Sequence, residues 1–150
     1  MIYLILLPLF IIAMLLYFRI ADHYNIIDKP NERSSHNEVT IRGGGIIFPI
    51  SAVIFFIIND FKYPFFITGL MIIALISFLD DLLTLNNKLR LAVHLIAVAL
   101  LFYQWNLFVM PWYWLIIVAV FVIGTLNAYN FMDGINGITG VYSLVAFATL

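Results

Sequence analysis

The chain has 150 residues, 65% of them hydrophobic and only 10% charged, where a soluble domain carries about 25% charged residues. That composition is built for lipid, and the lack of cysteine excludes disulfides, thiolate metal sites and cysteine nucleophiles. A formal net charge of −1 with no basic stripe excludes nucleic acid as a partner.

The first apolar run, residues 2–18, has no positive residue ahead of it and is followed by Arg19, with no small-residue cleavage site. It reads as a permanent anchor with its N-terminus outside rather than a cleaved signal. Counted to residue 20, it is the first of five runs approaching membrane length. The others are 45–58, 63–79, 89–105 and 112–126, and a sixth begins at 138. A straight span needs about 20 residues, with about 17 tolerated, so the second and fifth must borrow flanking residues or lie in a thinned bilayer. No strand-type alternation competes, and only helices or closed barrels satisfy a backbone in lipid. The expected fold is all-α and polytopic, with five to six transmembrane helices. Residues 138–150 cover about 20 Å at ~1.5 Å per residue, short of a hydrocarbon core of about 30 Å. The chain is therefore expected to stop inside its sixth helix, as the N-terminal part of one transmembrane domain.

The loops divide by parity. Arg19, Lys29, Arg33, Arg42, Lys88 and Arg90 flank one side of the membrane, and only Lys62 lies on the other. The positive-inside rule makes the first side cytoplasmic. Tyr63, Trp105, Trp112, Tyr113 and Trp114 suit the opposite interface.

The first cytoplasmic loop runs Asp28, Lys29, Pro30, Asn31, Glu32, Arg33, Ser34, Ser35, His36, then Arg42, Gly43, Gly44 and Gly45. Glycines directly before an apolar helix leave bare N–H groups at its positive dipole end, suited to an anion. Arg33, His36 and Arg42 would add cationic or hydrogen-bonding partners; a solvated, topology-setting loop with packing glycines is the plainer reading. Pro49 is expected to kink the helix that follows about one turn in.

Asp80 and Asp81 close the third run. Adjacent carboxylates repel unless a cation or proton lies between them, and Mg²⁺ held by one or two carboxylates plus substrate phosphates resolves that repulsion. A solvated helix-terminating pair is the bland alternative. Lys88 and Arg90 follow closely enough to hold a phosphate, and Asp133 arrives on the same side from a separate loop. Carboxylates and cations converging on one surface describe phosphoryl transfer, where catalysis is mostly positioning and charge neutralisation.

Residues 127–140 read as a helix end followed by turns. Gly134, Gly137 and Gly140 permit close backbone approach, while Asn127, Asn130 and Asn136 offer amides to a nucleotide or sugar. His94 either lines the site or hydrogen-bonds to a neighbouring helix. An ion-coupled transporter and a non-catalytic scaffold are the rival classes. A transporter would place such carboxylates near the bilayer midplane rather than at one boundary.

Three motifs stand in order on one side. The first is Asp28-x-Pro30-x-x-Arg33-x-x-His36 leading to Gly44-Gly45, and the second is Asp80-Asp81 followed by Lys88-Leu89. The third is Asn127-x-x-Asn130-x-x-Asp133-Gly134-x-x-Gly137. In these the chain resembles the polyprenyl-phosphate N-acetylhexosamine-1-phosphate transferases, over nearly its whole length. The resemblance implies a fold of about ten or eleven helices in the bacterial cytoplasmic membrane, with a site facing the cytoplasm. It implies a Mg²⁺ (or Mn²⁺) cofactor, a UDP-N-acetylhexosamine donor and undecaprenyl phosphate as acceptor; a homodimer is compatible with it. By resemblance Asp80, Asp81 and Asp133 are the catalytic and metal-binding carboxylates. Arg33, His36, Arg42, Gly44, Gly45, Lys88, Asn127, Asn130 and Asn136 are the substrate-binding residues. Asn136 departs from the pattern where a second aspartate is common, Ile41 replaces a common proline, and His94 stands where glutamine is frequent. The family's later acidic motif and histidine-containing loop have no counterpart within these residues. The pathway, among O-antigen, capsule, teichoic acid and peptidoglycan, stays open.

Overall fold

A computed structural model of the chain describes residues 2–28, 40–41, 43–83, 85–132 and 138–149. Six helices follow one another: α1 (Ile2–His23), α2 (Ile47–Ile58), α3 (Pro64–Leu83), α4 (Asn87–Gln104), α5 (Trp112–Met132) and α6 (Ile138–Thr149). Two strands of two residues each, β1 (Ile27–Asp28) and β2 (Thr40–Ile41), pair antiparallel, with Ile27 opposite Ile41 and Asp28 opposite Thr40. They draw together the two ends of the first loop, a contact the apolar pattern does not announce.

Among the described residues, three helices are long and apolar enough to cross a membrane, over Leu4–His23, Pro64–Leu83 and Trp112–Tyr129. The 20 residues of α3 reach about 30 Å at ~1.5 Å per residue, the thickness of a hydrocarbon core. Their outward faces are apolar and bare: Leu4 is 78% exposed and Phe121 74%. Such surfaces belong in lipid rather than water. The chain is thus an all-α polytopic membrane protein, as the sequence implied.

The remaining helices depart from simple spans. α2 has only 12 residues and continues a 3-10 turn, Gly44–Ile46. Pro49 falls in the first turn of α2, where its missing N–H costs no α-helical hydrogen bond. α4 is the least apolar helix, opening with Lys88 and Arg90. It nevertheless buries His94, Ala97, Val98 and Phe102, more than any other helix among the described residues. The reason is its partner: α3 and α4 form the most extensive helix contact in the chain. They run antiparallel and meet at three levels. Where α3 starts, the Phe65 amide donates to Gln104 Oε1 at 3.0 Å. Midway Gly69 lies against Ala97. Where α3 ends, Arg90 meets Asp80.

Helix ends have local causes. At the end of α1, Asn25 takes φ 54°, and the Ile26 and Asn25 amides donate to the Ala21 and Asp22 carbonyls at 2.8 and 3.2 Å. This is a left-handed cap of the Schellman type. The turn after α2 repeats it: Asp60 has φ 55°, and the Phe61 amide donates to the Phe56 carbonyl at 2.9 Å. The hydrophobic contact that accompanies such caps is the edge-to-face pair Phe56–Phe61, 5.2 Å between centroids. Tyr63, Phe66 and Trp105 cluster nearby, the first and last stacked at 6.0 Å, an aromatic belt at the end opposite the aspartates.

Candidate functional site

The candidate site lies where α3 ends and α4 begins. Asp80 is inside the last turn of α3, which runs on to Leu83 rather than stopping at residue 79. Aspartate is a poor helix residue, and here its carboxylate closes the connection instead: Oδ1 accepts from the Leu85 amide at 2.8 Å. Its other oxygen, Oδ2, pairs with Arg90 Nη1 at 2.9 Å, with about a fifth of each side chain exposed. Asn86 then starts α4 by accepting from the Lys88 amide at 2.9 Å, a side-chain N-cap. The acidic pair is therefore joined to α4 by a short, bonded turn.

Asp81 is exposed and close enough to the Tyr17 hydroxyl for electrostatic interaction. Tyr17 is buried toward the C-terminal end of α1 and lies against Gly43. Gly43 has φ 75°, and a Cβ there would collide with Tyr17 Oη and stand 2.7 Å from Phe78. Of the three consecutive glycines, Gly43 is thus the one the fold demands. Gly44 and Gly45 have nothing within 4 Å of an added Cβ, which leaves their backbone open to an approaching ligand. Through Tyr17 the first motif meets the second.

The third motif begins next to a cavity that the glycine run also lines. Leu126 of α5 and Gly45 line one apolar cavity of about 430 Å³, together with Phe48, Ile73, Val98 and other side chains of α2, α3, α4 and α5. Asn127 follows Leu126 directly. It lies within α5 rather than in a loop, and its Nδ2 donates back to the Ile123 carbonyl at 3.0 Å. Its Oδ1 remains as an acceptor. Asn130 is also in α5, but its side chain lies outside the described residues, as do Arg33, His36, Arg42, Asp133 and Asn136 altogether.

Lys88 is exposed in the first turn of α4. Arg90 is turned to Asp80, so of the two cations expected to face a phosphate, Lys88 is the one whose side chain is open to solvent. His94 is buried at 5% exposure with no hydrogen bond among the described residues. The chemistry-bearing side chains that sequence reasoning missed are Tyr17 and the Asp80 partnership of Arg90. A tyrosine near the inner end of an otherwise aliphatic run was the available signal for the first.

A hard divalent cation fits this donor set. Two neighbouring carboxylates stand at one helix end, and each Asp80 oxygen spends one lone pair on an N–H donor, leaving a second. No group of three or more potential ligands occurs among the described residues; a Mg²⁺ held here would take its other ligands from water and substrate phosphates.

Comparison with known proteins supplies relatives. The undecaprenyl-phosphate alpha-N-acetylglucosaminyl 1-phosphate transferase of Escherichia coli is 27% identical over an aligned length of 150, covering 88% of this chain and 40% of that protein. The protein of the same name from Yersinia pestis is 29% identical with the same coverage. A probable undecaprenyl-phosphate N-acetylglucosaminyl 1-phosphate transferase of Bacillus subtilis is 24% identical, covering 88% of this chain and 41% of that protein. The chain spans about 40% of the length of these curated relatives. No solved structure matches it. The family described as glycosyl transferase family 4 matches residues 63–150, which hold α3 to α6 and the aspartate pair. The chain belongs to glycosyl transferase family 4.

Proposed function

We propose that the protein transfers an N-acetylhexosamine-1-phosphate from a UDP-sugar to undecaprenyl phosphate at the cytoplasmic face of a bacterial inner membrane, releasing UMP. The observation that carries this reading is the aspartate pair at the inner end of α3, with one carboxylate held by Arg90 and the other beside Tyr17 and the glycine run. The names of the relatives supply the acceptor class and the sugar-1-phosphate.

A phosphate oxygen of the lipid attacks the β-phosphorus of the donor. One P–O bond forms there as the bond to the UMP oxygen breaks, and the electron pair leaves with UMP. Asp80 and Asp81 would hold Mg²⁺, which when bound neutralises the pyrophosphate and steadies the departing charge. Asp133 joins them in this proposal as the third carboxylate. Lys88 offers a point charge to a phosphate, with Arg33, His36 and Arg42 as further donors. The open backbone at Gly44 and Gly45 admits an anion at the start of α2. Asn127, Asn130 and Asn136 would orient the nucleotide or sugar. The apolar cavity that reaches Gly45 suits the hydrocarbon end of a lipid acceptor lying beside the charged site.

The test uses membranes containing the complete protein, undecaprenyl phosphate, Mg²⁺ and a panel of sugar-labelled UDP-N-acetylhexosamines. Label entering the lipid phase with equal UMP in the water phase supports the reading and names the donor. Neither product from any donor rejects it.

A further inference from the structure

We propose that Arg90 is a positioning residue: it fixes the Asp80 carboxylate for the transfer step instead of binding a substrate phosphate. The assignment rests on the transferase reading and adds a residue role to it.

Adjacent aspartates repel, and an unrestrained Asp80 side chain would swing away from Asp81. Two anchors prevent that. Arg90 Nη1 holds Oδ2 at 2.9 Å and the Leu85 amide holds Oδ1 at 2.8 Å, one donor to each oxygen. Four-fifths of both side chains is buried, so the pair is less screened by water than an ordinary surface ion pair. A guanidinium stays charged at any relevant pH and presents its donors in a fixed plane, so it sets direction as well as charge. Its own base is rigid. Asn86 caps the start of α4, and α4 is pinned to α3 at Gly69–Ala97 and at Phe65–Gln104. The carboxylate is thereby aimed while a lone pair on each oxygen stays available. Arg90 is spent on this contact, and Lys88, two residues earlier and exposed, is left to meet phosphate.

The complete protein would be purified as wild type, Arg90→Gln, Arg90→Lys, Asp80→Asn and the Asp80→Asn/Arg90→Gln double variant. Turnover is measured with UDP-N-acetylhexosamine and undecaprenyl phosphate across Mg²⁺ concentrations, and thermal unfolding is followed in parallel. Removing a partner that orients a metal-binding carboxylate costs about 10–100-fold, so Arg90→Gln should lower kcat by that factor. KM for both substrates should stay nearly constant while half-maximal activity needs more Mg²⁺. Arg90→Lys should recover part of the loss. The double variant should be no slower than Asp80→Asn, because the two residues act as a unit. A raised KM with kcat intact, or losses that multiply in the double variant, would overturn the proposal in favour of a phosphate ligand. Melting separates this failure from failure of the transferase reading. If wild type transfers nothing, that reading falls alone provided the melting shifts of the two single variants are non-additive. Additive shifts overturn the Asp80–Arg90 pairing in either case.

Discussion

Gly69 lies against the backbone of Ala97: a Cβ at residue 69 would stand 3.2 Å from the Ala97 carbonyl oxygen and 3.4 Å from its Cα. Small residues of this kind let two helices in a membrane approach closely, and here they set the spacing of the α3–α4 hairpin that carries the aspartates. Gly69→Leu should therefore destabilise the complete protein, since overpacking a close contact costs about 1–3 kcal/mol. Thermal unfolding in detergent checks it, and an unshifted midpoint would mean the helices are not this close.

The glycine run divides its labour. Gly43→Ala forces a side chain into left-handed backbone, a cost of about 1–2 kcal/mol, and onto Tyr17 and Phe78 as well. It should lower the yield of folded protein, and Tyr17→Ala in the same chain should relieve only the collision. Gly44→Ala and Gly45→Ala meet open space and should melt like wild type. Activity lost in these two would be lost through ligand approach. Melting and transfer measured on the three variants decide between these outcomes.

Much of this arrangement was legible in the residues. The apolar runs located all six helices, and the charge asymmetry singled out the end where the aspartates lie. Boundaries went astray where polar residues lie inside the last turns of a helix. Asp80 sits within α3 and accepts from Leu85 beyond its end, and Asn127 sits within α5 and donates back to Ile123. The Arg90 charge in α4 is accommodated by Asp80 of α3. The Ile27–Ile41 pairing and the Tyr17–Gly43 contact depend on tertiary structure, which no local pattern reports. Asp80 and Asp81 stood out as candidates at once, whereas the employment of Arg90 on Asp80 needed the turn between α3 and α4 to be seen.

Lys88 and Arg90 should behave differently despite their shared charge. Lys88→Ala removes an exposed side chain and should leave the melting midpoint within about 0.5 kcal/mol of wild type, while raising KM for a phosphate-bearing substrate. Unchanged kinetics would remove Lys88 from the site.

Membrane orientation is open to direct labelling. A cysteine at Asn86, between α3 and α4, should react with a membrane-impermeant maleimide only from the cytoplasmic side. One at Asn106, after α4, should react only from outside. The reverse pattern would put the aspartates on the wrong face for a cytoplasmic UDP-sugar.

The most direct measurement follows the phosphorus. Membranes with the complete protein, undecaprenyl phosphate and Mg²⁺ are given UDP-N-acetylhexosamine labelled with ³²P at the β-phosphate, with Asp81→Asn as control. Transfer of a sugar-1-phosphate carries the label into the lipid phase, leaves unlabelled UMP in the water phase, and disappears in the variant. Label left in the water phase as UDP while the sugar enters the lipid would show transfer of the sugar alone, and would contradict the reaction proposed here.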